Sequence, residues 1–189
     1  MEIWLMAKLL KYEIKGNLFK VIYNMYSNIK SCIKNPVKEP NSYRDFFNCS
    51  VGVRQGEHLS PALFSLFLND LEEFLVSNYN NGIDLSNSSN ELLPIFRILL
   101  LLYADDTILM AEDQQTLQKC INDFVDYCTE WKLNVNITKT KVQIFGARNL
   151  NPYQFYINNT KLEIVDHYKY LGVYFSKTGS FNKTKTHLS

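Results

Sequence analysis

Asp105 and Asp106 stand side by side in "LLLYADDTILMA", residues 100–111, with apolar residues on both flanks. Two ionised carboxylates this close repel each other, and a divalent cation relieves the repulsion. Mg²⁺ takes oxygen ligands, keeps several of its waters, and is commonly held by one or two carboxylates together with substrate phosphates. An isolated Asp-Asp step reads as an acidic turn, because Asp favours turns. Here the flanks predict two buried strands joined through Tyr103, Ala104, Asp105 and Asp106. That is a hairpin with carboxylates at or near its tip. Adjacent residues of a strand point to opposite faces, so the two side chains need not reach one point.

The elements that must hold such a tip are legible around it. Leu18, Ile22, Met25, Tyr26 and Ile29 recur at helical spacing and predict an amphipathic helix over 17–29. "PVKEPNSYR", 36–44, reads as a loop, and "DFFNCSVGV", 45–53, as a strand. Ser60 as N-cap and Pro61 at the first helical position open a helix over 60–77. Its apolar stripe is Leu63, Phe64, Phe67, Leu71, Phe74 and Leu75. The stretch 78–95 begins Asn- and Ser-rich and lacks periodicity. It buries little to offset its ordering entropy and should be the least ordered internal segment. The strands of the aspartate hairpin span 96–103 and 107–111. Glu112 or Asp113 starts a helix that runs to 131, with Leu117, Cys120, Ile121, Phe124, Cys128 and Trp131 inward. "KVQIF", "QFYIN", "TKLEIV" and "KYLGVYF" read as short strands, with a turn at Asn158-Asn159. No repeat or interdomain linker is visible, so residues 1–175 read as one domain followed by a polar tail, 176–189.

Composition bounds the classes. A chain of 189 residues can bury its own core. Its net charge of +1 carries no bulk signature of a nucleic-acid binder. The distribution is uneven: residues 1–44 carry eight basic and three acidic groups, 45–131 three and fourteen, and 132–189 nine and two. A cation-holding centre between anion-holding flanks would look like this. Charge alone favours ordinary variation among solvated faces. The four cysteines have no C-x-x-C spacing, and Lys8 and Lys11 interrupt the opening where a signal peptide would be apolar. The longest apolar run, Ile98 to Ala104, is far too short to span a bilayer. These features predict an intracellular chain with reduced thiols, no membrane association and no disulfide-linked partner.

"VGVRQGEHLSPALFSLFLNDL", 51–71, followed some thirty residues later by "LLYADDTILM", resembles the reverse transcriptases of non-LTR (LINE-like) retrotransposons. "WKLNVNITKTKVQIFG", 131–146, and "YKYLGVYF", 168–175, resemble the next two blocks of that family, in the right order. "NLFKVIYNMYSNIKSCIK", 17–34, is similar to the segment these enzymes carry before the "RQG" block.

The resemblance implies an α+β fold. It would be a partial right-hand polymerase palm, an antiparallel sheet backed by the helices at 60–77 and 113–131, with fingers and thumb largely missing. It implies RNA-templated DNA synthesis with an RNA template, a DNA primer and deoxynucleotides. Two Mg²⁺ ions would serve it, or Mn²⁺ in their place. On the family pattern Asp105 is a direct metal ligand and Asp106 a ligand or supporting charge. Arg54, Gln55 and Gly56 form the loop against the incoming nucleotide, and Tyr103 packs near the primer end. Lys139 or Lys141 protonates pyrophosphate, and spacing does not choose between them. Tyr170, Leu171 and Gly172 grip the primer backbone. The family also needs an aspartate on an earlier palm strand, expected just upstream of Met1. The chain therefore reads as a piece of a polymerase. The alternative is a translated, non-catalytic retroelement remnant that binds nucleic acid weakly.

Overall fold

A computed structural model describes residues 2–27, 29–34, 43–49, 52–54, 56–78, 83–84, 97–98, 100–146 and 152–180. Two compact units emerge. Residues 1–72 and 103–106 form the first, and residues 73–102 and 107–189 the second. Helices alternate with small two-stranded sheets, all but one of the described pairings being antiparallel. Among the described residues no helix is long and apolar enough to cross a membrane.

The first unit opens with α1 (Glu2–Lys11) and α2 (Gly16–Tyr26), followed by β1 (Lys30–Lys34) and β2 (Tyr43–Asn48). Helix α1 was not foreseen from the sequence, although Leu5 and Leu9 share one face and are buried with Met6. It packs against α2 and against α3 (Leu59–Phe67). Helix α2 buries Ile22 and Tyr26. It stops before Ile29 because Ser27 turns to extended backbone, its amide and hydroxyl both bonding to the Tyr23 carbonyl. Strands β1 and β2 pair antiparallel with a register shift between Ser31 and Ile33. Strand β2 ends at Asn48, short of the expected Val53. Most of the loop expected at 36–44 lies outside the described residues.

The helix expected over 60–77 is two helices, α3 and α4 (Leu71–Asn78), separated at Leu68–Asp70. The break coincides with a tertiary contact. Leaving the helix lets the Asp70 carboxylate meet the ammonium groups of Lys8 and, at 2.8 Å, Lys11. Lys8 is completely buried and also lies 5.7 Å from the Phe67 ring centroid. The predicted stripe survives the break, with Leu63, Phe67, Leu71 and Leu75 all buried. Ser60 is not the N-cap. His58 occupies that position with no side-chain bond, and Pro61 is the third helical residue. The Ser60 hydroxyl is occupied instead, 3.2 Å from the buried Tyr26 hydroxyl.

In the second unit β3 (Ile83–Asp84) pairs antiparallel with β4 (Arg97–Ile98). The rest of the loop expected after Asn78 lies outside the described residues. Strands β5 (Leu100–Tyr103) and β6 (Asp106–Leu109) form the next two-stranded sheet. Helix α5 (Gln114–Glu130) starts at Asp113, whose carboxylate accepts from the Thr116 amide at 2.9 Å. The two hydrogen bonds from Thr116 hold that carboxyl below its ordinary range. Cys120, Ile121 and Cys128 are buried as expected. Tyr127 joins them, 5.4 Å from the Phe74 ring, a core position the periodicity reading left out. Burial pushes the Cys128 thiol up to about 11.

The remaining strands are short: β7 (Lys141–Val142), β8 (Tyr156–Ile157), β9 (Thr160–Lys161), β10 (Glu163–Ile164), β11 (His167–Tyr170) and β12 (Val173–Ser176). Strands β8 and β9 make a hairpin around Asn158, left-handed at φ 52°, as the Asn-Asn turn predicts. Strand β7 pairs parallel with β10. Ile121, Val142, Phe155, Ile157 and Leu162 form the core that holds these pieces on α5. The Gln118 amide locks the contact, bonding both the carbonyl and the N–H of Tyr156 at 2.8 Å. "KYLGVYF" is two strands, not one. Leu171 and Gly172 both adopt left-handed backbone, φ 47° and 86°, and reverse the chain between β11 and β12. Positive φ at both central residues matches the twist of a two-residue hairpin. After β12, Lys177 is tied to Asp166 at 2.8 Å, and residues 181–189 lie outside the described residues.

Candidate active site

Strands β5 and β6 are joined by Ala104 and Asp105 alone, a connection that only antiparallel neighbours permit. Asp105 is at the tip, and Asp106, expected in the connection before a strand over 107–111, is the first residue of β6 (Asp106–Leu109). Both carboxylates face solvent. Ala104 sits at φ 51°, where a residue with a Cβ is strained. Strain of this kind costs about 1–3 kcal/mol and concentrates at functional sites. The expectation that both strands are buried is wrong for β5. Leu101 is 42% exposed, Leu102 41% and Tyr103 61%. A two-stranded sheet has little to cover both faces. The inward contact comes from β6, whose Leu109 packs on the Ile121–Val142 core.

The glycine loop belongs to the same unit as residues 103–106. Arg54 donates to the Met25 carbonyl at 2.9 Å and lies 3.8 Å from the Glu57 carboxylate. Glu57 in turn accepts from the Tyr26 hydroxyl at 3.0 Å. Gly56 is exposed at φ 84°, with open space where a Cβ would be. Gln55 lies outside the described residues.

The two candidate lysines separate. Lys141 is paired with Glu163 at 2.6 Å, directly across the β7–β10 register, and also donates to the Thr138 carbonyl. Lys139 follows a turn organised by Asn136, whose side chain accepts from the Lys139 amide and the Thr138 hydroxyl. Its own side chain is exposed. Tyr170 ends β11, and Leu171 and Gly172 form the exposed turn beyond it. Beside them Lys169 stacks 5.3 Å over the Tyr174 ring. Sequence reasoning placed Tyr26 on the α2 stripe but did not single out Glu57 or their contact. The available signal was an acidic residue directly after the glycine, facing a helix that ends in tyrosine.

Residues 4–175 match the family model described as reverse transcriptase (RNA-dependent DNA polymerase). The chain belongs to the reverse transcriptase family. It is 31% identical over 137 residues to the retrovirus-related Pol polyprotein from the type-2 retrotransposable element R2DM of Drosophila melanogaster. It is 27% identical over 143 residues to the RNA-directed DNA polymerase from mobile element jockey of Drosophila funebris. These matches cover 68% and 72% of this chain and only 12% and 14% of those relatives. The chain is thus of the non-LTR retrotransposon reverse transcriptase type. Reverse transcriptases act on nucleic acid and use divalent metal ions. The tip offers this segment carboxylate oxygens, which suit a hard cation. Among the described residues no cluster of three or more His, Cys, Asp or Glu comes together.

Proposed function

We propose that this segment is part of the palm of an RNA-directed DNA polymerase and carries its Asp105/Asp106 metal-binding tip. The observation that carries the reading is the exposed aspartate pair on a strained two-residue hairpin, in a chain of this family. In the reaction the primer 3′-hydroxyl attacks the α-phosphate of a deoxynucleoside triphosphate. The new P–O bond forms as the bond to pyrophosphate breaks, and the hydroxyl proton is lost. Mg²⁺ ions, when bound, would lower the cost of the attacking alkoxide and of the charge on the leaving oxygens. Asp105 would hold metal directly, and Asp106 would hold it or supply neighbouring negative charge.

On the same reading the other residues bind and orient. The Arg54–Gly56 loop lies against the nucleotide, Tyr103 borders the primer end, and the Tyr170–Gly172 turn grips the primer backbone. Lys139 is the better general acid for pyrophosphate, since Lys141 is held by Glu163 and Thr138. A polymerase containing this segment tests the reading. Asp105→Asn keeps the shape and removes the charge, and should lower nucleotide incorporation by about a hundredfold or more. Near-normal incorporation would remove Asp105 from the site.

A further inference from the structure

Arg54 is the one cation in the loop assigned above to the nucleotide, which makes it the obvious phosphate ligand. Its surroundings argue for another role. The last carbonyls of a helix have no partner inside it and carry its negative dipole end. Helix α2 ends at Tyr26, and Ser27 occupies only the Tyr23 carbonyl. Arg54 takes the Met25 carbonyl at 2.9 Å, so its guanidinium caps α2. Glu57 stands on its other side, with Oε1 3.8 Å from Nη1 and Oε2 3.0 Å from the Tyr26 hydroxyl. Tyr26 is 3% exposed, and its hydroxyl also lies 3.2 Å from Ser60 Oγ. Burial raises the phenol above its ordinary range, so it stays protonated and donates to Glu57. The loop is thus held at both ends, by Arg54 on α2 and by Glu57 on Tyr26 and, through its carbonyl, the Ser60 amide at 3.2 Å. What it leaves open is Gly56, with empty space at the Cβ position.

We infer that Arg54, Glu57 and Tyr26 form a strut that positions the loop, and that the Gly56 backbone, rather than the Arg54 guanidinium, meets the nucleotide. This rests on the nucleotide-binding reading of the loop, and the two can fail separately. A phosphate-binding arginine acts through its own charge, whereas a strut acts only as long as all its members are linked. Loss of any one member then has the same effect, and a second loss adds little.

The test uses Tyr26→Phe, Glu57→Ala and Arg54→Ala in the full chain. Tyr26→Phe keeps the buried ring and removes only the hydroxyl, so the fold is retained. Hydrogen exchange across residues 52–58 should quicken by about tenfold in each variant, the size expected for a lost bond to a charged group. The Tyr26→Phe/Glu57→Ala double variant should exchange no faster than either single one. Unchanged exchange in Tyr26→Phe overturns the strut. Binding of thymidine triphosphate with magnesium chloride should weaken to a similar extent in all three. Weakening in Arg54→Ala alone makes Arg54 a direct ligand and overturns the inference. If the unmodified chain binds no thymidine triphosphate, the nucleotide role of the loop falls, and the exchange result alone decides whether the strut exists.

Discussion

At the scale of single residues, ion pairing distinguishes two side chains of the same type. Lys139 and Lys141 are two residues apart and chemically identical. Among the described residues, only Lys141 of the two sits opposite a carboxylate, that of Glu163. Substitution in an active polymerase containing this segment should separate them. Lys139→Ala should slow incorporation by about a hundredfold, the lower range for loss of a general acid, and leave the melting temperature alone. Lys141→Ala should leave the rate nearly unchanged and destabilise the fold by less than about 1 kcal/mol, since the pair is partly exposed. Single-turnover rates and thermal melts on both variants check this. A slow Lys141→Ala beside a fast Lys139→Ala would reverse the assignment.

At the scale of elements, a buried charge decides where a helix stops. The ladder of α3 could have continued through Leu68, and the apolar stripe does continue. Asp70 is the residue that the break frees, and it meets Lys8 and Lys11 of α1. Removing one partner of a buried pair leaves an uncompensated charge and costs about 3–5 kcal/mol, whereas replacing both by apolar residues is often neutral. Asp70→Ala should therefore destabilise by that amount. The Lys8→Met/Asp70→Leu pair should recover most of it. Urea denaturation of the three proteins measures both numbers. A small loss in Asp70→Ala would mean that the pair is not what anchors α1.

At the scale of the whole molecule, the proposed two-metal reading asks for two ions about 3.5–4 Å apart, and among the described residues no group of three or more His, Cys, Asp or Glu comes together to hold them. Residues 1–189 by themselves should not extend a DNA primer on an RNA template with Mg²⁺ and deoxynucleotides. Extension abolished by Asp105→Asn would mean that another carboxylate of this chain completes the site. Lys132, Lys139, Lys141, Lys183 and Lys185 lie in the basic stretch after residue 131. Any binding of nucleic acid through them should weaken steeply with salt, because it releases counterions from phosphate. Affinity insensitive to salt would take these lysines out of the contact.

The sequence by itself determined what depends on neighbours along the chain. The aspartate hairpin, the apolar stripes of α3, α4 and α5, a helix start at Glu112 or Asp113 and the Asn158 turn all follow from local chemistry and period. The family followed from four ordered motifs. Tertiary structure decided what depends on residues far apart in sequence. Lys8 and Asp70 are 62 positions apart, and Tyr26 and Glu57 are 31. No periodicity encodes that a buried ammonium waits for Asp70, so one long helix was expected where there are two. Exposure of β5 is likewise set by how many strands lie beside it. Its leucines carry the same apolar signal whether a neighbouring layer covers them or not.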